Sequence, residues 1–115
     1  MKKLGFPKSR RLTRQYEFLR LYRTGRKVSS EYLTVYARPA EGRQGKVGIV
    51  VSKRVGGAVE RNRIRRVLRE AVRTNPNEIL EGTDLVIVTK NRALELRRPE
   101  LVEQLLRLLR KSEAS

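Results

Sequence analysis

Residues 46–74, KVGIVVSKRVGGAVERNRIRRVLREAVRT, decide the fold, because the hydrophobic period changes inside them. Lys46 to Lys53 is a short run rich in β-branched residues, the pattern of a buried strand. Gly56-Gly57 interrupts it. From Ala58 onward, Ile64, Val67, Leu68, Ala71 and Val72 recur at i, i+3, i+4, i+7 and i+8, one narrow apolar stripe of a helix. That helix is predicted to run from about Ala58 to Thr74, where Asn75-Pro76 ends it.

Downstream, Asp84 to Lys90 (DLVIVTK) is almost entirely apolar, which predicts a central strand. Pro99 suits the first turn of a last helix, whose broad apolar face comprises Leu101, Val102, Leu105, Leu106, Leu108 and Leu109. Upstream, residues 31–38 alternate, with Tyr32, Thr34 and Tyr36 on one face and Leu33, Val35 and Ala37 on the other. Pro39 to Gly45 supplies the turn between the two strands, and Val28 begins a short additional one. Thr13 is placed to cap a first helix running to about Thr24, with Gly25 as its stop. Leu12, Tyr16, Leu19 and Tyr22 give that helix its apolar spacing, and Phe18 and Leu21 widen the face. Residues 1–11 are basic, contain Pro7 and lack periodicity, so they read as a flexible arm. The order α-β-β-α-β-α, with no repeat and no linker, predicts an α+β fold. It would be a two-layer α/β sandwich around a central mixed sheet, in one domain spanning residues 1–115.

The chain of 115 residues carries 28 Lys and Arg against 12 Asp and Glu, a formal net charge of +16. It has no Cys and no His, which excludes thiolate nucleophiles, zinc–thiolate sites and the commonest general base. The single Asp, Asp84, heads an apolar run, so no carboxylate pair for acid–base work is evident. No run approaches the roughly 18 apolar residues a membrane span needs. The first residues lack a signal peptide's apolar segment, so a cytoplasmic protein with no membrane partner is expected.

The positive charge is segregated. Residues 1–73 hold 21 Lys and Arg against 5 Glu, whereas residues 74–115 hold 7 of each sign. Arg outnumbers Lys 20 to 8, and the guanidinium fork suits phosphate oxygens. Opposite the apolar stripe of the 58–74 helix lie Arg61, Asn62, Arg65, Arg66, Arg69 and Arg73, with Arg63 at the flank. Arg61, Arg65, Arg69 and Arg73 step along one side with a rise of about 6 Å, close to the spacing of successive phosphates. Like charges at i and i+4 weaken an isolated helix, and phosphate binding would recover that loss. The pattern points to a polyanion, with nucleic acid favoured over an acidic membrane.

All six aromatic residues, Phe6, Tyr16, Phe18, Tyr22, Tyr32 and Tyr36, fall in the first 36 positions. Phe18 and Tyr22 share a helix face, and Tyr32 and Tyr36 share a strand face. If the faces meet, they form an aromatic, Arg-rimmed groove for single-stranded bases; the alternative is that the rings pack helix onto sheet. Ser52 to Gly57 reads equally as a phosphate contact at a helix N-terminus and as a plain strand-to-helix turn. It lacks the Walker pattern, so nucleotide hydrolysis is not indicated.

The stretch Val47 to Glu70 closely resembles the signature of the bacterial ribonuclease P protein subunit. Its centre is Arg61-Asn62-Arg63, followed by Arg65-Arg66 and Arg69, and preceded at matching offsets by the Val-Ser-Lys strand end, the Gly turn and Ala58-Val59. The likeness extends over most of the chain. It implies a left-handed βαβ crossover, against the usual right-handed preference. It also implies an accessory subunit for 5′ maturation of precursor tRNA. Catalysis would lie in a large RNA, with Mg²⁺ held mainly by that RNA and the protein monomeric without it. On this resemblance, Arg61, Asn62, Arg63, Arg65, Arg66 and Arg69 bind the catalytic RNA. Phe18, Tyr22 and Tyr36, with Lys53 and Arg54 at the rim, bind the single-stranded 5′ leader. Two positions depart from the family pattern. Residue 22 is often Phe there and is Tyr here, and residue 57 is commonly Asn there and is Gly here.

Two alternatives carry the same charge. A structural RNA-binding protein of the ribosomal type has no need for a face that stacks single-stranded bases. A duplex-DNA binder would want a helix preceding the arginine helix and base-reading Gln and Asn, which are scarce here.

Overall fold

The computed structural model describes residues 11–40, 45–75 and 82–113. Helix α1 (Gln15–Thr24) is followed by strands β1 (Arg26–Ser29), β2 (Leu33–Pro39) and β3 (Val47–Val51). Helix α2 (Ala58–Thr74), strand β4 (Thr83–Thr89), a 3₁₀ turn at Asn91–Glu95 and helix α3 (Arg98–Glu113) complete the domain. The expected arm falls on residues 1–10, outside the described residues, except for Arg11, which bridges Val47. Most of the expected turn at 39–45 and Pro76 also lie outside them.

The sheet order is β1-β2-β4-β3, so the apolar β4 is central as its sequence predicts. β2 pairs antiparallel with both β1 and β4, whereas β3 runs parallel to β4, connected through α2. The result is the mixed sheet of an α+β sandwich. The register, Val35↔Ile87 and Ile49↔Ile87, puts the odd-numbered apolar residues of β2, β3 and β4 on one face. There Leu33, Val35, Val47, Leu85 and Ile87 meet Ile64, Leu68 and Val72 of α2 and Leu101, Leu105 and Leu109 of α3 in one core. The predicted stripe of α2 is buried residue for residue.

The other face carries α1 alone. Leu12, Leu21 and Val86 are buried there, with Phe18, Tyr36, Val50 and Val88 packed around them. The N-cap of α1 is Arg14 rather than the expected Thr13. Glu17 Oε1 accepts the backbone N–H groups of both Thr13 and Arg14, supplying from inside the helix what a capping hydroxyl would have provided. Gly25 stops the helix in an extended conformation rather than a left-handed one. A Cβ there would stand 2.6 Å from the Leu21 carbonyl oxygen, so close approach explains the glycine.

Tyr32 departs from expectation. β2 begins only at Leu33, and Ser30 Oγ accepts the N–H groups of Tyr32 and Leu33 in the bend before it. This turns Tyr32 against the large core, where Arg92 lies over its ring at 5.5 Å. It does not share a face with Tyr36.

Candidate nucleic-acid interface

α1 lies across the strands, and its two flanks differ. On one flank Phe18 rests on β3 at Gly48, and a Cβ at that position would fall 2.5 Å from the ring. A glycine in the strand is therefore what lets the aromatic helix approach the sheet. Four residues further on, Tyr22 meets Tyr36 edge to face, with centroids 4.9 Å apart and planes 70° to one another. The Tyr22 phenol is pushed up from its ordinary pKa by burial and by its neighbour Tyr36, so it stays a neutral donor at physiological pH.

Beyond these rings the sheet row Thr34, Val88 and Val50 continues the face, since each is paired across the strands. Lys27, opposite Tyr36 on β1, holds its ammonium 5.9 Å from the Tyr36 centroid. The predicted meeting of helix and strand rings therefore forms through Phe18, Tyr22 and Tyr36, without Tyr32. Lys53 and Arg54 occupy the exposed turn where β3 ends, closed by a Val55 N–H to Ser52 carbonyl bond. Lys27, Val50 and Val88 were not singled out from the sequence, because only strand register brings them beside Tyr36.

The second surface is the outer side of α2. Ile64, Val67, Leu68, Ala71 and Val72 are buried, which turns Asn62, Arg66 and Arg69 to solvent and leaves Arg61, Arg63 and Arg65 half-buried. The Asn62 side chain accepts a 3.1 Å hydrogen bond from Arg65 Nη1, fixing one guanidinium by a neutral group. Arg73 is different: it is tied to Glu70, three residues back. Of the row at four-residue spacing, its last member is thus already neutralised.

Arg69 converges with Arg65 and with Arg11, a residue the sequence reading had placed in the arm. Burial first, then the charges of Arg11 and Arg65, lowers the Arg69 pKa from its ordinary value. Among the described residues, buried Nε atoms of Arg11 and Arg61 have no hydrogen-bond partner. Converging guanidinia with unused donors can receive phosphate oxygens. Arg11 and Arg69 also line, with Phe18 and Gly48, a cleft of about 100 Å³ at the edge of β3. That cleft joins the aromatic flank of α1 to the arginine surface of α2. Among the described residues no group of three or more carboxylates gathers to hold a metal ion, and no helix is long and apolar enough to cross a membrane.

A small mixed-sheet domain with an arginine helix beside an aromatic groove defines a class of basic α+β proteins fitted to nucleic acid. The family model for Ribonuclease P matches residues 6–113. The ribonuclease P protein component of Oleidesulfovibrio alaskensis is 43% identical, covering 87% of this chain and 83% of its own. That of Desulforapulum autotrophicum is 37% identical over 93% and 92%. Among solved structures, the RNase P protein of Staphylococcus aureus superposes with a TM-score of 0.85 at 26% identity, covering 92% of this chain and 97% of that one. The Thermotoga maritima RNase P protein gives 0.79 at 30% identity, over 88% and 96%. The chain belongs to the ribonuclease P protein family. It is accordingly the protein component of an endoribonuclease that processes tRNA 5′ ends, and the RNase P RNA is its partner.

Proposed function

We propose that the two surfaces divide the work of that ribonucleoprotein. Arg61, Asn62, Arg63, Arg65, Arg66 and Arg69 bind the catalytic RNA. Phe18, Tyr22 and Tyr36, with Lys53 and Arg54 at the β3 end, bind the single-stranded 5′ leader of precursor tRNA. The observation that carries this reading is the Tyr22–Tyr36 edge pair beside Phe18, which leaves part of the Tyr22 ring exposed on a face that also carries Val50 and Val88. A splayed base can stack there, and a duplex with its bases hidden cannot. The cleft holding Arg11 and Arg69 supports a continuous path from leader to catalytic RNA.

The protein contributes binding and position rather than chemistry. With no His and no Cys, it has no evident nucleophile or neutral-pH base to offer. Mg²⁺ in the holoenzyme supplies polarisation of the phosphodiester and is held mainly by the RNA. The free protein is monomeric, its net charge of +16 opposing self-association, and it acts in the cytoplasm.

The test is cleavage of a precursor tRNA by a bacterial ribonuclease P RNA at low Mg²⁺, with and without this protein and with the protein alone. Protein-dependent stimulation with no cleavage by protein alone is expected. Tight RNA binding without stimulation would instead make it a structural RNA binder. Arg65→Gln with Arg69→Gln is expected to flatten the logarithmic salt dependence of RNA-subunit binding by about 1 to 2. Its thermal unfolding should stay near that of the parent, because neither side chain enters the core.

A further inference from the structure

The flank of α1 away from the aromatic groove has its own cleft, of about 240 Å³, between Tyr16, Arg20, Arg38, Lys46 and Asp84. Three of the four large hydrophobic side chains exposed among the described residues belong to this one helix: Tyr16 at 62%, Leu19 at 42% and Tyr22 at 38%. Tyr22 is absorbed by its contact with Tyr36. Tyr16 and Leu19 have no such role, and Tyr16 stands at the mouth of the cleft.

The charges around it are arranged unevenly. Glu17, the only acidic residue of α1, is fully engaged: one oxygen takes the Thr13 and Arg14 N–H groups, the other the Lys46 ammonium at 3.3 Å. Asp84 is buried and accepts the Lys46 N–H at 2.9 Å. Arg38 reaches the Thr24 hydroxyl, and neither Arg20 nor Arg38 meets a carboxylate among the described residues. The carboxylates are thus turned inward and tied, while two guanidinia and a phenol face the opening. A ring to stack on beside cations that no carboxylate of the described residues neutralises is the chemistry of a single-stranded nucleotide. A purely apolar partner would leave Arg20 and Arg38 desolvated and unpaired.

We propose that this second cleft binds single-stranded RNA, one base lying on Tyr16 and its phosphates held by Arg20 and Arg38. α1 then has a strand-binding cleft on each flank. This inference does not rest on the aromatic groove binding a leader, since the two clefts share no ring.

The test is amide chemical-shift mapping of the full ¹⁵N-labelled chain titrated with a short oligouridylate, of roughly eight nucleotides, in low salt. Shifts at Tyr16, Arg20 and Arg38 are expected to persist in Tyr36→Ala and to vanish in Tyr16→Ala with Arg20→Gln. In the Tyr36→Ala background, those two changes should weaken oligouridylate binding roughly tenfold. Their exposed side chains leave the fold intact, which the unchanged dispersion of core amides would show. Shifts confined to the Phe18, Tyr22 and Tyr36 flank would overturn the proposal. So would inorganic phosphate alone reproducing the shifts at Tyr16, an anion site only. Binding at Tyr16 with none at Tyr36 would support it while removing the leader reading of the groove.

Discussion

The two faces of the sheet are built on opposite plans. One face is closed by α2 and α3, and seventeen buried residues form a single core from Leu33 to Leu109. The other bears α1 alone, over a small cluster of three buried hydrophobic side chains, Leu12, Leu21 and Val86. The first face spends its apolar residues on packing density. The second leaves rings and guanidinia at the edges of a narrow helix, where a ligand can reach them. A strand alternates its side chains between faces, so one sheet serves both purposes residue by residue: Val35 and Ile87 face the core, Tyr36 and Val86 the groove.

The comparison is most sharply broken by Leu105→Ala, which opens a cavity in the closed face. Denaturant unfolding should show a loss of about 2–5 kcal/mol, with the groove chemistry otherwise intact at temperatures where the chain remains folded. A loss below 1 kcal/mol would mean that α3 is not the stabilising layer. Gly48→Ala probes the contact on the opposite face. Its methyl group collides with Phe18, and overpacking of this kind costs about 1–3 kcal/mol. Leader binding should fall with it as the ring is displaced, while the Phe18→Ala, Gly48→Ala double variant should recover stability and not binding. Tyr36→Ala separates the surfaces: leader affinity should drop about tenfold, the worth of one stacked base, with affinity for the RNase P RNA unchanged. Equal loss of both would merge the two surfaces into one.

The smallest expected effect concerns pH. Burial works to raise the Glu17 pKa, but the N–H groups of Arg14 and Thr13 and the Lys46 ammonium outweigh it and hold it below the ordinary value. A carboxylate depressed in the folded state stabilises above its unfolded pKa, and that contribution disappears as pH falls through the folded value. Glu17→Gln should therefore be modestly less stable than the parent at neutral pH and converge with it in acid. A difference constant across that range would assign the effect to packing at the start of α1.

Much of the fold was legible because period alone carries it. The stripe Ile64 to Val72 placed α2 with its observed ends, and the unbroken DLVIVT run made β4 central. The site was legible in parts. Six residues of the arginine helix follow from which side the apolar stripe takes. The groove needed more, because whether Tyr36 meets Tyr22 depends on how α1 crosses the sheet. Tyr32 misled because a period of two continues on paper past the point where Ser30 bends the chain. Arg11 was missed for a similar reason: a single bridge to Val47 orders it, and nothing in a basic, Pro-containing segment announces that pairing. The 3₁₀ turn at Asn91–Glu95 also has no periodic signature, since it is one short turn held by Lys90 and Ala93 carbonyls.

The position of β4 has a consequence for the chain as it is made. The strand that both β2 and β3 pair with is the last of the four in chain order, ahead of the 3₁₀ turn and the helix that seals the core. A growing chain can zip β1 to β2 early, since three residues separate them, but β3 lacks its main strand partner until residues 83–89 arrive. During that interval α2 shows its apolar stripe to solvent on one side and its arginines on the other. Sheet closure is therefore a late, non-local event: the arginine surface of α2 exists once that helix forms, whereas the face on which α1 rests is completed only when β4 docks between β2 and β3.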